Sequence, residues 1–155
     1  IYRNTGIQEN IVNLRKFSKH CKIKGFKFYI SNQLKLLKNC NADGLYLSSF
    51  NKKFYLNRNF KIIGSAHSYK EIKEKINQGC KTIFLSRLFK TSYKDKKGHL
   101  GIVKFNLMVK NYTVTIIPLG GIKESNLNKL NLVKGNGFGI LSEVKKKPAI
   151  ANRLF

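Results

Sequence analysis

The sequence predicts an α/β fold built on a parallel sheet. Short β-rich apolar runs alternate with longer stretches of helical period along the chain. Each run is followed by a helix or turn at a spacing of about 20–25 residues, as in βα units joined by right-handed crossovers. Such units close either as an open doubly wound sheet or as a barrel, and periodicity does not choose between them.

The expected strands are residues 26–30, 44–47, 61–64, 82–85, 113–119 and 138–141, and Ile1, Tyr2 and Arg3 read as the tail of a further one. Helical period appears over 7–24, where Ile11, Leu14, Phe17 and Cys21 recur at three- and four-residue steps. Residues 68–78 open on Ser68, carry Glu71 three positions later and are followed by Gly79, which predicts a capping box and a glycine stop. Residues 123–133 space Leu127, Leu130 and Val133 along one face, and 101–110 form a weaker helix. No linker composition interrupts the chain, so residues 1–155 are read as one domain.

The bulk properties narrow the function. Of 155 residues, 42% are hydrophobic, a globular rather than disordered composition. No apolar run approaches the roughly 20 residues of a membrane span, so no membrane partner is expected. Cys21, Cys40 and Cys80 are odd in number and widely spaced, which favours free thiols in a reducing, cytoplasmic setting. The net charge of +24 raises nucleic-acid binding. The basic residues, however, spread over nearly every segment and no nucleic-acid motif accompanies them. Composition is the favoured explanation, with anionic small ligands as the partners; an oligomer is left open.

Four segments carry chemistry. Leu119, Gly120, Gly121 and Ile122 join a strand to a helix, where glycines let a ligand approach the backbone and the next helix start offers N–H groups to an anion. Gly137 to Ser142 form the next such junction, and in parallel barrels the last two junctions often make a phosphate site. Gly120, Gly121, Leu141 and Ser142 are therefore expected to converge on one phosphate. Ser65, Ala66, His67 and Ser68 follow the strand at 61–64: Ser65 is the ligand candidate, Ser68 the helix N-cap, and His67 an acid–base group or a hydrogen-bonded residue at the helix start. Residues 89–98 combine hydroxyls and ammonium groups suited to a diphosphate.

These segments together resemble the thiamine phosphate synthase/TenI family. Asn41 to Leu47 is similar to that family's ADGVHLG, Ile62 to Ser68 to its IIGxSAHS, and Phe89 to Lys94 to its FPTxTK loop. Leu119 to Ile122 is similar to its IGGI, and Ile140 to Ser142 to its VVSAI. The resemblance runs from Arg3 to about Val144. It implies a TIM (β/α)8 barrel, lacking the first βα unit in this chain. It also implies coupling of hydroxymethylpyrimidine diphosphate to thiazole phosphate, with magnesium and cationic side chains stabilising the departing diphosphate. By resemblance the catalytic residues are Arg3 and Lys94. Ser65, Ser68, Thr91, Gly120, Gly121, Leu141 and Ser142 bind substrate or phosphate.

The departures from the family are equally specific. Thr5 stands for its Lys, Ser31–Asn32 for its Asn-Asp pair, Asn51 for its second Asp, and Ser86–Arg87 for its Gly-Pro. Both magnesium carboxylates are thus replaced, and neutral amide oxygens hold that ion far less well, so no metal ligands are expected. Among the seven acids, Glu9, Asp43, Glu71, Glu74, Asp95, Glu124 and Glu143, none is clearly placed to substitute, although Asp95 adjoins Lys94. Arg87, Lys90, Lys94, Lys96 and Lys97 could compensate in part. The expectation is a synthase-like transferase with weakened or lost activity. The alternatives are a TenI-like thiazole tautomerase using His67 or His99, or a non-catalytic binder of thiamine-related phosphates.

Overall fold

The computed structural model describes residues 1–3, 10–55, 59–91 and 98–140. Its centre is a five-stranded sheet: β1 (Tyr29–Ser31), β2 (Gly44–Leu47), β3 (Lys61–Ala66), β4 (Thr82–Ser86) and β5 (Thr115–Leu119). The strands lie side by side in chain order and every pair is parallel. A parallel bridge from Tyr2 to Ile30 extends one flank, and another from Leu119 to Gly139 extends the other. Between them run α1 (Ile11–Ile23), α2 (Leu34–Cys40), α3 (Tyr69–Asn77), α4 (Gly101–Val109) and a 3-10 helix (Glu124–Leu132).

Register divides the sheet into two faces. Ile30 pairs with Leu45 and Leu45 with Ile62, while Leu47 pairs with Gly64, Gly64 with Ile83 and Ile83 with Ile116. The apolar residues of this face share one buried cluster with Leu14, Leu36, Leu37, Ile72, Phe105 and Met108 of the helices. The opposite face carries Tyr46, Ile63, Ser65, Phe84, Ile117 and Leu119. β2 is buried at every position, whereas β4 and β5 alternate between buried and half-buried residues. The helix side is thus the dry core, and the second face is only half covered along β4 and β5.

Several expected elements shift, each for a local reason. The first strand is shorter and later than 26–30, because the Phe26 N–H is tied back to the Cys21 carbonyl at the end of α1. The strand expected at 61–64 continues to Ala66, so Ser65 lies within the ladder, paired with Phe84. In α1 the buried stripe is Leu14, Ser18 and Cys21, while Ile11 and Phe17 face outward; Asn10 caps the helix by accepting from the Asn13 N–H. Residues 7–9 of the expected helix lie outside the described residues. The segment 123–133 winds as a 3-10 helix, consistent with apolar steps that are all three residues, the period of that helix. Helix α2 carries no motif and was not anticipated.

The capping box at α3 forms only in part. Ser68 Oγ accepts from the Glu71 N–H at 3.3 Å, but the Glu71 carboxylate turns to His67, accepting from its backbone N–H at 2.7 Å and meeting its Nδ1 at 3.1 Å. All three cysteines are free and buried. No described helix is long and apolar enough to cross a membrane.

The two faces make a stability prediction. Ile83→Ala, in the dry core, is expected to cost about 2–5 kcal/mol, and Ile117→Ala, on the half-covered face, clearly less. Urea unfolding of the two variants checks the order; equal costs would contradict it.

Candidate functional site

A parallel sheet sends all its strands out at one end, so the segments after them are neighbours. At this end stand Arg3, Ser31–Asn32, Ser48 to Asn51, Ala66–His67, Ser86–Arg87 and Gly120–Gly121. The junction after β4 lies directly on the one after β5. The Leu88 N–H donates to the Leu119 carbonyl and the Phe89 N–H to the Gly120 carbonyl, both at 3.0 Å. Gly120 and Gly121 hold φ of +93° and +70°, a region that penalises any Cβ. A Cβ on Gly121 would press into the carbonyls of Phe89 and Lys90. The glycine pair therefore lets the segment bearing Thr91 dock against the end of β5. Thr91 Oγ1 is buried, and it is the one such side-chain polar atom among the described residues left without a hydrogen-bond partner, a condition that a ligand oxygen would relieve.

The expected meeting of Gly120 and Gly121 with Leu141 and Ser142 falls partly outside the described residues. The Gly139 N–H donates to the Pro118 carbonyl at 2.9 Å, which sets the next junction beside β5. Leu141 and Ser142 lie outside the described residues, as do Thr5, Lys94, Asp95, Lys96 and Lys97. Ser65 is buried within β3 on the Tyr46 and Phe84 face. The Ser68 hydroxyl is spent on capping α3.

Arg3 is held by a residue that sequence reasoning did not single out. Its guanidinium donates to Tyr46 Oη at 2.7 Å and lies 5.0 Å from that ring's centroid. Tyr46 is fully buried and packs toward Phe84. The available signal was alternation: Tyr46 stands between Leu45 and Leu47, so it projects to the opposite face.

Asn32 and Asn51 meet at the ends of β1 and β2. Asn51 Nδ2 donates to Asn32 Oδ1 at 2.9 Å, and the same oxygen accepts from the Ser48 N–H at 3.0 Å. Asn32 Nδ2 donates to Ser48 Oγ at 3.0 Å, and Asn51 Oδ1 accepts from the Lys53 N–H at 2.8 Å. Beneath them Lys75, wholly buried, donates to the Asn51 carbonyl and to Gln78 Oε1, both at 2.8 Å. Gln78 Nε2 donates in turn to the carbonyls of Asn51 and Lys53. Burial holds the Lys75 ammonium below its ordinary pKa.

These residues do not fit the magnesium that the resemblance implies. That ion wants charged, hard oxygens, and both amide oxygens here already accept backbone N–H bonds. No group of three or more His, Cys, Asp or Glu among the described residues could hold a metal. A separate cavity of about 420 Å³, lined by Val109, Thr115, Lys134 and Gly135 among others, opens at the other end of β5.

The fold is a parallel five-stranded α/β sheet with glycines and cationic side chains at its outgoing end. The family model for thiamine monophosphate synthase matches residues 2–144, and the chain belongs to that family. It is 28% identical over 152 residues to the thiamine-phosphate synthase of Prochlorococcus marinus (strain AS9601), covering 95% of this chain and 40% of that protein. It is 27% identical over 128 residues to that of Dictyoglomus turgidum, covering 78% and 57%. The chain thus spans well under two thirds of the length of these relatives. The thiamine phosphate pyrophosphorylase from Pyrococcus furiosus shares the fold, with a TM-score of 0.74 at 14% identity over 98% of this chain and 79% of that one.

Two predictions follow from this geometry. Gly121→Ala should weaken binding of inorganic phosphate at least tenfold while the far-ultraviolet spectrum stays native; unchanged calorimetric affinity would separate the glycine pair from the anion. Lys75 supplies a pH test. Its folded pKa lies below the unfolded 10.5, so between those values the unfolded chain holds a proton that the folded chain has shed. Stability relative to Lys75→Met should therefore rise with pH through that window. Urea unfolding of both proteins at pH 7 and pH 10 reads the difference, and a fall would contradict it.

Proposed function

We propose that this chain is a thiamine phosphate synthase-like protein that takes hydroxymethylpyrimidine diphosphate and thiazole phosphate at the outgoing end of its sheet. In this reading the sheet belongs to a (β/α)8 barrel whose described flanks are Tyr2 and Gly139. The observation that carries it is the docking of the Thr91 segment onto Gly120 and Gly121, with a buried, unpartnered hydroxyl beside a glycine-lined turn. Thr91, Gly120 and Gly121, joined by Leu141 and Ser142, would bind phosphate oxygens. Ser65 would contact substrate from within β3, with Ser68 supporting it at the start of α3.

The chemistry this site would perform needs no proton transfer. The bond between the pyrimidine methylene and the diphosphate oxygen breaks, and its electron pair leaves with the diphosphate. The thiazole nitrogen lone pair then forms the new carbon–nitrogen bond, which makes the ring cationic. The role of the protein is to hold the partners in line and neutralise the leaving group. Arg3, oriented by Tyr46, and Lys94 are the cations assigned to that task, with Arg87 and Lys90 nearby in the chain.

A second reading has one observation in its favour. Glu71 fixes His67 through Nδ1, leaving Nε2 for proton transfer, as a TenI-like tautomerase would need.

Incubation with both substrates and chromatography of thiamine phosphate tests the proposal. Turnover is expected below about 1 per second, the low end of ordinary enzymes, and Lys94→Ala should abolish it. Stabilisation by thiazole phosphate without any product would reduce the chain to a binder. Turnover of thiazole alone would favour the tautomerase. Neither binding nor product would overturn the proposal.

A further inference from the structure

We infer that this chain binds its diphosphate without a divalent cation, because an Asn32–Asn51 amide clasp closes the place where two carboxylates would share one. The inference rests on the diphosphate reading given above. Its basis is the polar inventory of the two amides. Asn32 Oδ1 takes two N–H bonds and Asn51 Oδ1 one, all from groups of the chain itself. The backbone donors Ser48 N and Lys53 N fix which atom of each amide is oxygen. The atom that bridges the pair is therefore an N–H, a donor that repels a cation where a second carboxylate oxygen would attract it.

The lattice underneath keeps this arrangement in place. Lys75 and Gln78 both hold the backbone carbonyl of Asn51 and so fix its main chain, while turning its side chain out would break the bonds to the Lys53 N–H and to Asn32 Oδ1. A buried ammonium beneath the clasp also opposes an ion above it. Three of the described carboxylates are engaged elsewhere. Asp43 bonds the Phe28 N–H at the opposite end of the sheet, Glu71 holds His67, and Glu74 pairs with Lys52. Charge for the diphosphate must then come from side chains. At this end Arg3 is exposed and already oriented by Tyr46, and Lys90 is exposed.

Titration calorimetry of inorganic pyrophosphate, in EDTA and in magnesium, tests the inference without recourse to activity. The wild-type Kd is expected to be no tighter with magnesium, since the ion only competes for pyrophosphate in solution. Tightening of tenfold or more would overturn the inference and leave the proposed function standing. Absence of pyrophosphate and thiazole phosphate binding in both conditions would overturn the proposed function, and the inference with it. Asn32→Asp/Asn51→Asp should acquire the missing dependence, with a Tm lowered in EDTA and restored by magnesium, and pyrophosphate bound at least tenfold tighter with the ion. A double variant indifferent to magnesium would overturn the role given to the clasp. Should it fail to fold, Asn51→Asp alone, which keeps an acceptor for the Lys53 N–H, carries the same expectation.

Discussion

The parallel hydrogen-bond ladder running from Tyr2 to Gly139 governs everything else in this molecule. Parallel strands need crossovers, and the crossovers supply the helices that dry one face of the sheet. The same constraint delivers every strand end to one side, so residues far apart in sequence meet there without dedicated contacts. Arg3, Asn32 and Gly121 stand at the same end of the sheet because of that ladder, with Ser65 one residue inside the end of β3. What each does then depends on short-range chemistry: a tyrosine under the arginine, an amide against an amide, two glycines against a loop.

The polar lattice below Asn51 illustrates how such chemistry is stabilised. A wholly buried lysine is costly unless its donors are satisfied. Here it is held by a backbone carbonyl and a glutamine that is itself bonded twice over. Its aliphatic stem packs close to Gly64 and Cys80 on β3 and just after α3, which ties the outgoing loop of β2 to the helix behind it. The main chain of Asn51 is thus held from the core, and its amide by the bonds of the clasp itself.

Much of the fold was legible in the sequence because apolar period and glycine punctuation coincide. The strands at 44–47 and 82–85 and the helix after Ser68 needed only local signals. The 3-10 helix Glu124–Leu132 follows apolar steps of three, a spacing that an α-helical face shares. Helix α2 was not read, since a seven-residue helix carries no two full turns of pattern and its cap, Gln33, makes no side-chain bond. The site was legible where backbone conformation demands glycine, at Gly120 and Gly121, and where motif order could be matched. Tyr46 and Lys75 were hidden because their significance lies in partners 43 and 24 residues away, and no local pattern encodes such pairs. Asn32 and Asn51 were visible as substitutions, but not as hydrogen-bond partners of each other.

The central claim is that the outgoing strand ends hold an anion. Backbone amide NMR during titration with thiazole phosphate tests it most directly. The account predicts shifts concentrated at Arg3, Ser65, Thr91, Gly120 and Gly121. Shifts gathered instead around the cavity at Val109 and Thr115, or scattered over the surface lysines, would contradict it.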